Sequence, residues 1–497
     1  MNNTDAICSA TIKQATHRAP IRHRCSVALV QDAGDGCIGF LISHTKLDDV
    51  GKYFMNNARN MLLAFALAVS IGGCATLDEI RDQHSSIVLG TAPVLHSLED
   101  CHSGRESSES VAGARNSIED YGKYLIGYAE FDDQGWNTGT TSDDSQVKVL
   151  LQALDKEVNQ QPLLILVFVH GWHHNAYTND CNVKQFRAMV QLTSENLASA
   201  GSSQKVMGVY VGWRGESVNV PVARYTTIYS RKLAAEHVAK GSVRELFARL
   251  KLFETKHRKS RADETVRTII IGHSFGGLIA FHSLSQSLME DIVFGATTCE
   301  ENIAHGKQMA SVKTESIADN SKWNYPDLVV LINPAFEASR YEALYQASEL
   351  PGNCKWDDRK RPRMISIAAD NDLATSTFFP AARWMATILE HYNDLHRENE
   401  RNANLNVIGF VDRYRTHRLQ QCLVNGKTEI VLQEDFGGAA RDRNTPLLVA
   451  RAAPNVIYGH DGFLYSPATG ELNTVLMSFL ADIYKRGQDA VSKNCDN

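Results

Sequence analysis

A sharp turn between a buried strand and a glycine-rich helix constrains the fold of this chain more than any other feature. The turn lies within the stretch Thr268 to Leu278. It follows the apolar, β-branched run Val266 to Ile271, which is typical of a buried parallel strand. Gly277 to Met289 follows with helical periodicity and no proline. Between them, Gly272-His273-Ser274-Phe275-Gly276 fits a turn that lifts a serine hydroxyl above a sheet. The pattern predicts that Ser274 is a nucleophile, and an ordinary glycine-rich turn is the structural alternative.

Strands and helices alternate along the chain on both sides of this turn. The other predicted strands are Lys123 to Phe131, Leu163 to Val169, Val206 to Trp213, Asp327 to Ile332, Met364 to Ala368 and Asn455 to Tyr458. The other predicted helices are Gln146 to Val158, Lys184 to Ala198, Ile228 to Phe253 and Leu472 to Tyr484. Such alternation predicts an α/β fold with a mostly parallel central sheet and helices on both faces.

Two stretches interrupt the alternation. One lies near 297–325, after the helix that follows Ser274, and the other near 378–444, after the strand Met364 to Ala368. The second is predicted to contain a strand pair, Val407 to Val411 with Glu429 to Leu432. Insertions after sheet strands commonly cover a binding site, so either stretch is a candidate lid.

The amino-terminal region has the layout of a secretory signal that begins at a second methionine, Met55. A polar stretch containing Arg59 precedes the apolar run Met61 to Ile71, which is too short to span a membrane because spanning takes about 20 apolar residues. The run ends in Ile71-Gly72-Gly73-Cys74, which resembles a bacterial lipobox, where the cysteine is lipidated and becomes the mature amino terminus. A short internal helix is the alternative.

These features predict the organisation of the whole chain. Residues 1–54 are predicted to be an untranslated or disordered extension, 55–73 a signal peptide, 74–110 a polar tether and 111–497 a single domain. A lipid on Cys74 would anchor the protein to a membrane. We therefore expect an exported protein of a bacterial cell envelope, on its periplasmic or outer-membrane face.

Cysteine content and net charge narrow the possible functions. The cysteines after Cys74 are Cys101, Cys181, Cys299, Cys354, Cys422 and Cys495. An even number suits an exported protein with up to three disulfides, and the absence of a Cys-x-x-Cys pair leaves a structural zinc site without support. The formal net charge of −6 argues against a nucleic-acid partner.

The turn at Ser274 and the alternating elements together resemble the α/β-hydrolase superfamily, in its serine esterase and lipase-like branch, from about Lys123 to Tyr484. Members carry a serine, an acid and a histidine in that order along the chain, and candidates occur here in the same order. The resemblance implies an α/β-hydrolase fold and cleavage of an ester or thioester through an acyl-enzyme. It implies no cofactor.

A general base must take the proton of Ser274 and later deliver it to the leaving group. His460 is the predicted base because it follows the last predicted strand in a loop with glycines close on both sides. His417, inside the second insertion, is the alternative.

The acid must orient the imidazole and stabilise its charged form. The strand Met364 to Ala368 leads into Ala369-Asp370-Asn371-Asp372, which offers two carboxylates. Superfamily members place the acid a few residues past the strand, so the resemblance favours Asp372. Asp370 stays open as the alternative.

An oxyanion hole needs two backbone N–H donors. Phe275, directly after the nucleophile, supplies the first predicted donor. The loop after Leu163 to Val169 begins His170-Gly171-Trp172, which resembles the oxyanion loop of the superfamily. Gly171 would let the backbone approach the substrate, and the Trp172 N–H is the second predicted donor.

Aromatic side chains are the predicted lining of a substrate pocket. The candidates are Trp172, Tyr177, Trp213, Phe275 and the pair Phe378-Phe379. Asn333-Pro334-Ala335 follows another strand and is predicted to shape the adjacent rim, without a chemical role.

Two other classes of function compete with the serine hydrolase. The closely spaced His170, His173 and His174 suggest a metal-dependent hydrolase, although no carboxylate follows at the spacing of a zinc protease. A non-catalytic binding protein on the same fold is the other. For the hydrolase, the expected partners are a small-molecule or lipid-like ester and a membrane contacted through Cys74.

Overall fold

The computed structural model describes residues 29–30, 39–40, 81–88, 116–138, 145–215, 227–258, 265–304, 325–349, 362–388, 390–391, 397–435, 445–466, 471–486 and 495. The chain divides into two compact units, Met1–Cys74 and Ala75–Asn497. In the first, β1 (Leu29–Val30) pairs antiparallel with β2 (Gly39–Phe40). The predicted signal peptide at 55–73 and the predicted lipidation site Cys74 lie outside the described residues.

An 11-stranded sheet forms the centre of the second unit, in the order β12-β11-β13-β10-β9-β8-β6-β7-β5-β4-β3. Its strands are β3 (Asp82–Val88), β4 (Asn116–Asp120), β5 (Tyr124–Phe131), β6 (Leu163–Val169), β7 (Lys205–Trp213), β8 (Val266–His273), β9 (Leu328–Ile332), β10 (Met364–Ala369), β11 (His417–Val424), β12 (Lys427–Glu434) and β13 (Leu447–Ala452). A separate antiparallel pair joins β14 (Tyr465–Ser466) to β15 (Glu471–Leu472).

Neighbouring strands are parallel from β5 at one side of the sheet to β11 at the other. Towards the edges, β4 is antiparallel to β5 and β12 is antiparallel to β11. The predicted α/β class with a mostly parallel central sheet is confirmed. Because parallel strands end at the same edge, the loops after β6, β8, β9, β10 and β13 gather there.

Helices connect most of these strands. They are α1 (Gln146–Val158), α2 (Cys181–Ser199), α3 (Ile228–Lys240), α4 (Val243–His257), α5 (Phe275–Ala304), α6 (Glu342–Glu349), α7 (Phe379–Ala386), α8 (Arg397–Leu405) and α9 (Thr474–Arg486). Shorter helical turns occur at Ala338–Tyr341, Ala374–Phe378, Ile408–Phe410 and Asp412–Tyr414. Among the helices of the described residues, none is both long and apolar enough to cross a membrane.

The core lies on both faces of the sheet, because successive residues of a strand point to opposite sides. In β6, Ile165 and Val167 pack into a cluster with residues of α1, α3, α4 and α5. Leu166 and Phe168 of the same strand pack into a second cluster with residues of α2 and α9. Burial on both faces explains why the central strands are continuous apolar runs.

Two predicted strands are wrong. Asn455 to Tyr458 forms a turn instead of a strand. The last strand of the parallel series is β13, whose apolar sequence is interrupted by the charged Arg451. Val407 to Val411 contains a 3-10 turn instead of a strand. The predicted strand Glu429 to Leu432 lies within β12, which pairs with β11.

Other boundaries also differ from the predictions. β3 lies within the segment 74–110 that was expected to be a tether, and it pairs with β4. The predicted helix Ile228 to Phe253 is divided into α3 and α4 at Gly241, where a Cβ would lie 2.4 Å from the carbonyl oxygen of Gly135. The insertion expected near 297–325 begins as a continuation of α5, and 305–324 lie outside the described residues.

Candidate active site

Ser274 lies at the sharp turn between β8 and α5. Its φ of +55° is in the left-handed region, where a side chain with a Cβ is strained. The flanking glycines are required, because a Cβ on Gly272 would lie 2.6 Å from the carbonyl oxygen of Gly276, and a Cβ on Gly276 would lie 2.0 Å from that of Val169. The Ser274 N–H donates to the Ile332 carbonyl at 3.1 Å. The turn is therefore fixed against two neighbouring strands.

The structure brings three of the predicted residues together at this edge of the sheet. His460 Nε2 lies 2.9 Å from Ser274 Oγ, and His460 Nδ1 lies 2.8 Å from Asp372 Oδ2. An ionised carboxylate only accepts hydrogen bonds, so Nδ1 carries the imidazole proton and the lone pair of Nε2 faces the serine hydroxyl. This arrangement allows His460 to take the proton of Ser274.

The surroundings of Asp372 keep its carboxylate charged. Burial raises the pKa of Asp372, but hydrogen bonds from His460 and Thr375 outweigh burial and bring it below its usual value. The backbone N–H groups of Ala374 and Thr375 also donate to Oδ1, at 2.9 and 3.3 Å. Burial lowers the pKa of His460, but the hydrogen bond and charge of Asp372 raise it above 6.5. The imidazolium that forms on proton transfer is thus stabilised.

The two alternative residues have other partners. Asp370 pairs with Arg418 and, at 2.7 Å, with Arg451, which lie on β11 and β13. His417 is buried in β11, with Nδ1 2.8 Å from Thr416 Oγ1, and burial lowers the pKa of His417 to about 4. The structure therefore places the first-choice base, His460, beside Ser274 and the first-choice acid, Asp372, beside His460.

The loop after β6 lies against the serine. A Cβ on Gly171 would lie 2.8 Å from Ser274 Cβ, so glycine permits this approach. His170 attaches the loop to β7, because its Nε2 accepts the Trp213 N–H at 3.0 Å and its carbonyl accepts the Trp213 indole N–H at 2.9 Å. Burial lowers the pKa of His170 to about 4, which keeps the ring neutral. His170 therefore positions the loop.

The predicted pocket residues differ in exposure. Phe275 and Trp213 are buried, Trp172 is half-buried and Tyr177 is exposed. The ring centroid of Trp172 lies 6.4 Å from that of Phe275. Trp172 is thus both accessible and close to the serine turn. The action of the Trp172 and Phe275 N–H groups on a developing negative charge stays a prediction.

The histidines of the same loop do not converge. Within the part of the chain that the structure describes, His170, His173 and His174 form no set whose ligand atoms lie within 4.8 Å of one another. His174 Nδ1 lies 3.1 Å from Asp180 Oδ1, which caps α2. Among the described residues, the one set that meets this distance consists of His273, His460 and Asp461, and it includes the imidazole beside Ser274. The loop arrangement gives the metal-dependent alternative no support.

Three further residues contact the backbone of His460 or of the neighbouring Gly459, and the sequence did not indicate their importance. Asn333 Nδ2 donates to the carbonyls of His460 and Gly459, at 2.7 and 3.1 Å. His273 Nε2 donates to the same His460 carbonyl at 3.0 Å, and Asn371 Oδ1 accepts the Gly459 N–H at 2.9 Å. The sequence signal for Asn333 is a polar residue directly after the buried strand that neighbours β8.

Comparisons with known proteins add nothing to this geometry. A scan against protein-family models finds no match to the chain, and searches of curated proteins and of solved structures find none either.

Proposed function

We propose that this protein is a serine hydrolase of the α/β-hydrolase type that cleaves a carboxylic ester or thioester. The observation that supports it is the continuous hydrogen-bonded path from Ser274 Oγ through His460 to Asp372, with distances of 2.9 and 2.8 Å. The three groups follow β8, β10 and β13 in the order serine, acid, histidine, which agrees with the resemblance to the superfamily.

The first half-reaction transfers the acyl group to the enzyme. Ser274 Oγ attacks the carbonyl carbon while its proton moves to His460 Nε2. Asp372 stabilises the imidazolium, and the N–H groups of Phe275 and Trp172 stabilise the negative oxygen. The intermediate then collapses, and His460 gives the proton to the departing alcohol or thiol. An acyl ester remains on Ser274.

The second half-reaction regenerates the enzyme. Water attacks the acyl carbon and loses a proton to His460. Collapse of this second intermediate breaks the bond to Ser274 Oγ, which takes the proton back from His460. The net change is the conversion of ester and water into acid and alcohol, and none of the steps requires a cofactor.

Labelling with a fluorophosphonate probe tests the proposal without knowledge of the substrate. We expect the wild-type protein to be labelled and to hydrolyse p-nitrophenyl esters, and Ser274→Ala to do neither while unfolding at the wild-type temperature. Alanine retains the Cβ, so the strain at this position is unchanged. Ser283→Ala is the matched control, because Ser283 lies on α5 with its hydroxyl donating to the Ala239 carbonyl at 3.0 Å.

The possible outcomes separate the competing functions. Labelling or substantial ester turnover by Ser274→Ala would reject the assignment of the nucleophile. A folded wild-type protein that neither reacts with the probe nor turns over esters would favour the binding protein on the same fold. Activity that is lost to a chelator and restored by zinc would favour the metal-dependent hydrolase.

The cysteines support export as part of the same proposal. Cys422 and Cys495 form a disulfide, and Cys181 is disulfide-bonded as well. Disulfides form and persist in oxidising compartments. Together with the resemblance of Ile71-Gly72-Gly73-Cys74 to a lipobox, they favour an exported protein anchored through Cys74. Mass analysis of the mature protein should find a lipidated Cys74 at the amino terminus, and the presence of earlier residues would reject the anchor.

A further inference from the structure

The backbone that carries His460 is held from both sides by side-chain amides. Asn371 Oδ1 accepts the Gly459 N–H at 2.9 Å. On the other side, Asn333 Nδ2 donates to the Gly459 carbonyl at 3.1 Å and to the His460 carbonyl at 2.7 Å. Gly459 has a φ of +67°, so the loop bends sharply at the residue before the imidazole. These bonds fix where that bend places the ring.

A second donor reaches the same carbonyl of His460. His273 Nε2 lies 3.0 Å from this oxygen, and a carbonyl only accepts, so Nε2 carries the proton of the His273 ring. Burial, and then the neighbouring charge of His460, lower the pKa of His273 to about 3, which keeps that ring neutral. Asn333 and His273 thus converge on one oxygen of the loop.

Asn333 also connects this loop to the other two parts of the site. Its Oδ1 accepts the Ala369 N–H at 2.8 Å, at the end of the strand that leads to Asp372. Residues close to Asn333 bind the serine turn, because Ile332, directly before it, accepts the Ser274 N–H and Ala335, two residues after it, donates to the Ser274 carbonyl, each at 3.1 Å. One short segment at the end of β9 therefore contacts the backbone of the serine, the backbone of the base and the end of the strand that leads to the acid.

The backbone conformation of Asn333 selects for this residue type. Its φ is +44° and its side chain is fully buried. Apart from glycine, asparagine and aspartate tolerate the left-handed region best, and only asparagine offers both an N–H donor and a carbonyl acceptor there. A buried amide with all these bonds satisfied is favourable, whereas one left unpaired would be costly.

We infer that Asn333 is a positioning residue of the hydrolase, whose side-chain N–H groups hold the His460 backbone so that the imidazole stays within reach of Ser274. The inference depends on the proposed function. Its physical basis is that a displacement of about 1 Å in a reacting group can lower a rate by about 10²-fold. The side chain acts through His460 and does not meet the substrate.

Two substitutions separate positioning from general stability. Asn333→Gly removes the side chain without strain at positive φ, and Asn333→Asp keeps an oxygen for the Ala369 N–H but has no donor when its carboxylate is ionised. We expect both to lower kcat by about 10- to 100-fold with KM changed less than about 3-fold. Asn425→Gly is the matched control, since Asn425 also has a positive φ, +52°, but lies in the turn between β11 and β12. It should keep wild-type kcat.

Each result of this experiment has a defined meaning. If folded Asn333→Gly keeps kcat within about 3-fold of wild type, or if KM rises with kcat unchanged, the positioning role is wrong. Full activity of Asn333→Asp at high pH, where the ionised carboxylate has no donor, would also overturn it, because the donors would then be dispensable. If the glycine variant does not fold, the aspartate variant decides. A wild-type protein inert to both probe and ester overturns the function and the inference together, whereas an active wild type with an active Asn333→Gly overturns the inference alone.

Discussion

Asp372→Asn is expected to remove most of the activity while preserving the shape of the site. The asparagine oxygen can still accept the N–H groups of Ala374 and Thr375, now 2.9 and 3.3 Å from Oδ1. Its amide nitrogen would replace the oxygen that lies 2.8 Å from His460 Nδ1, so that one donor faces another. The imidazole avoids this by moving its proton to Nε2, which then cannot accept the proton of Ser274.

The size of this effect follows from the geometry. In serine–histidine–aspartate triads, replacing the aspartate with asparagine imposes the wrong tautomer and lowers kcat by about 10⁴-fold. This loss corresponds to about 5 kcal/mol of transition-state stabilisation. The loss of the carboxylate charge also removes the interaction that raises the pKa of His460. We therefore expect the low-pH limb of any residual activity to shift to lower pH.

Asp370→Asn provides the control for this experiment. Asp370 pairs with Arg418 and Arg451, and both arginines are partly exposed, so a modest effect on stability and a kcat within about 3-fold of wild type are expected. The assay is hydrolysis of p-nitrophenyl esters from pH 5 to 9, with thermal unfolding measured in parallel. A folded Asp372→Asn with kcat within about 10-fold of wild type would refute the reasoning, as would an equal loss in Asp370→Asn.

Three further predictions follow from the site and its surroundings. In the wild-type protein, kcat/KM should fall as pH is lowered through the pKa of His460, because only the neutral ring is a base. A pH profile of kcat/KM with its midpoint at or below pH 6.5 would contradict the raised pKa of His460. Gly171→Ala places a Cβ 2.8 Å from Ser274 Cβ, so the loop must move away from the serine, and kcat should fall by about 10²-fold. A folded variant with unchanged kcat would show that the loop does not serve the reaction. Cys422→Ser removes the disulfide to Cys495 and should lower the free energy of unfolding by about 2 to 4 kcal/mol, with kcat unchanged. Chemical denaturation measures this change, and a variant as stable as the wild type would mean that the disulfide does not form.

The central part of the fold could be predicted from the sequence because its strands are buried on both faces. β6 has the predicted bounds, Leu163–Val169, and all its residues are buried. β13 could not be recognised in the same way, since Arg451 interrupts its apolar sequence to pair with Asp370. Val407 to Val411 is apolar and contains buried side chains, but apolar composition alone does not distinguish a strand from a 3-10 turn.

Some parts of the site could be predicted because their residues are adjacent in the sequence, whereas others depend on residues far apart in the chain. The turn at Ser274 is local, because its glycines and its strand are adjacent in sequence. The base and the acid could be ranked by their places after strands, and the structure brings the first choices, His460 and Asp372, to the serine. The role inferred for Asn333 depends on bonds to Ala369 and His460, which are 36 and 127 residues away. The sequence marks Asn333 as a polar residue directly after a buried strand, but a single sequence does not identify partners at such distances along the chain.

The position of β13 has a consequence for when the proposed activity can arise. β13 pairs with both β10 and β11, although it comes after β11 and β12 in the chain. Ser274 precedes His460 by 186 residues, and His460 is delivered by the loop that follows β13. A growing chain that has folded only as far as β10 thus holds the serine and the acid without the base. The protein would remain inert towards esters throughout its synthesis and acquire its reactivity only when this late strand is inserted.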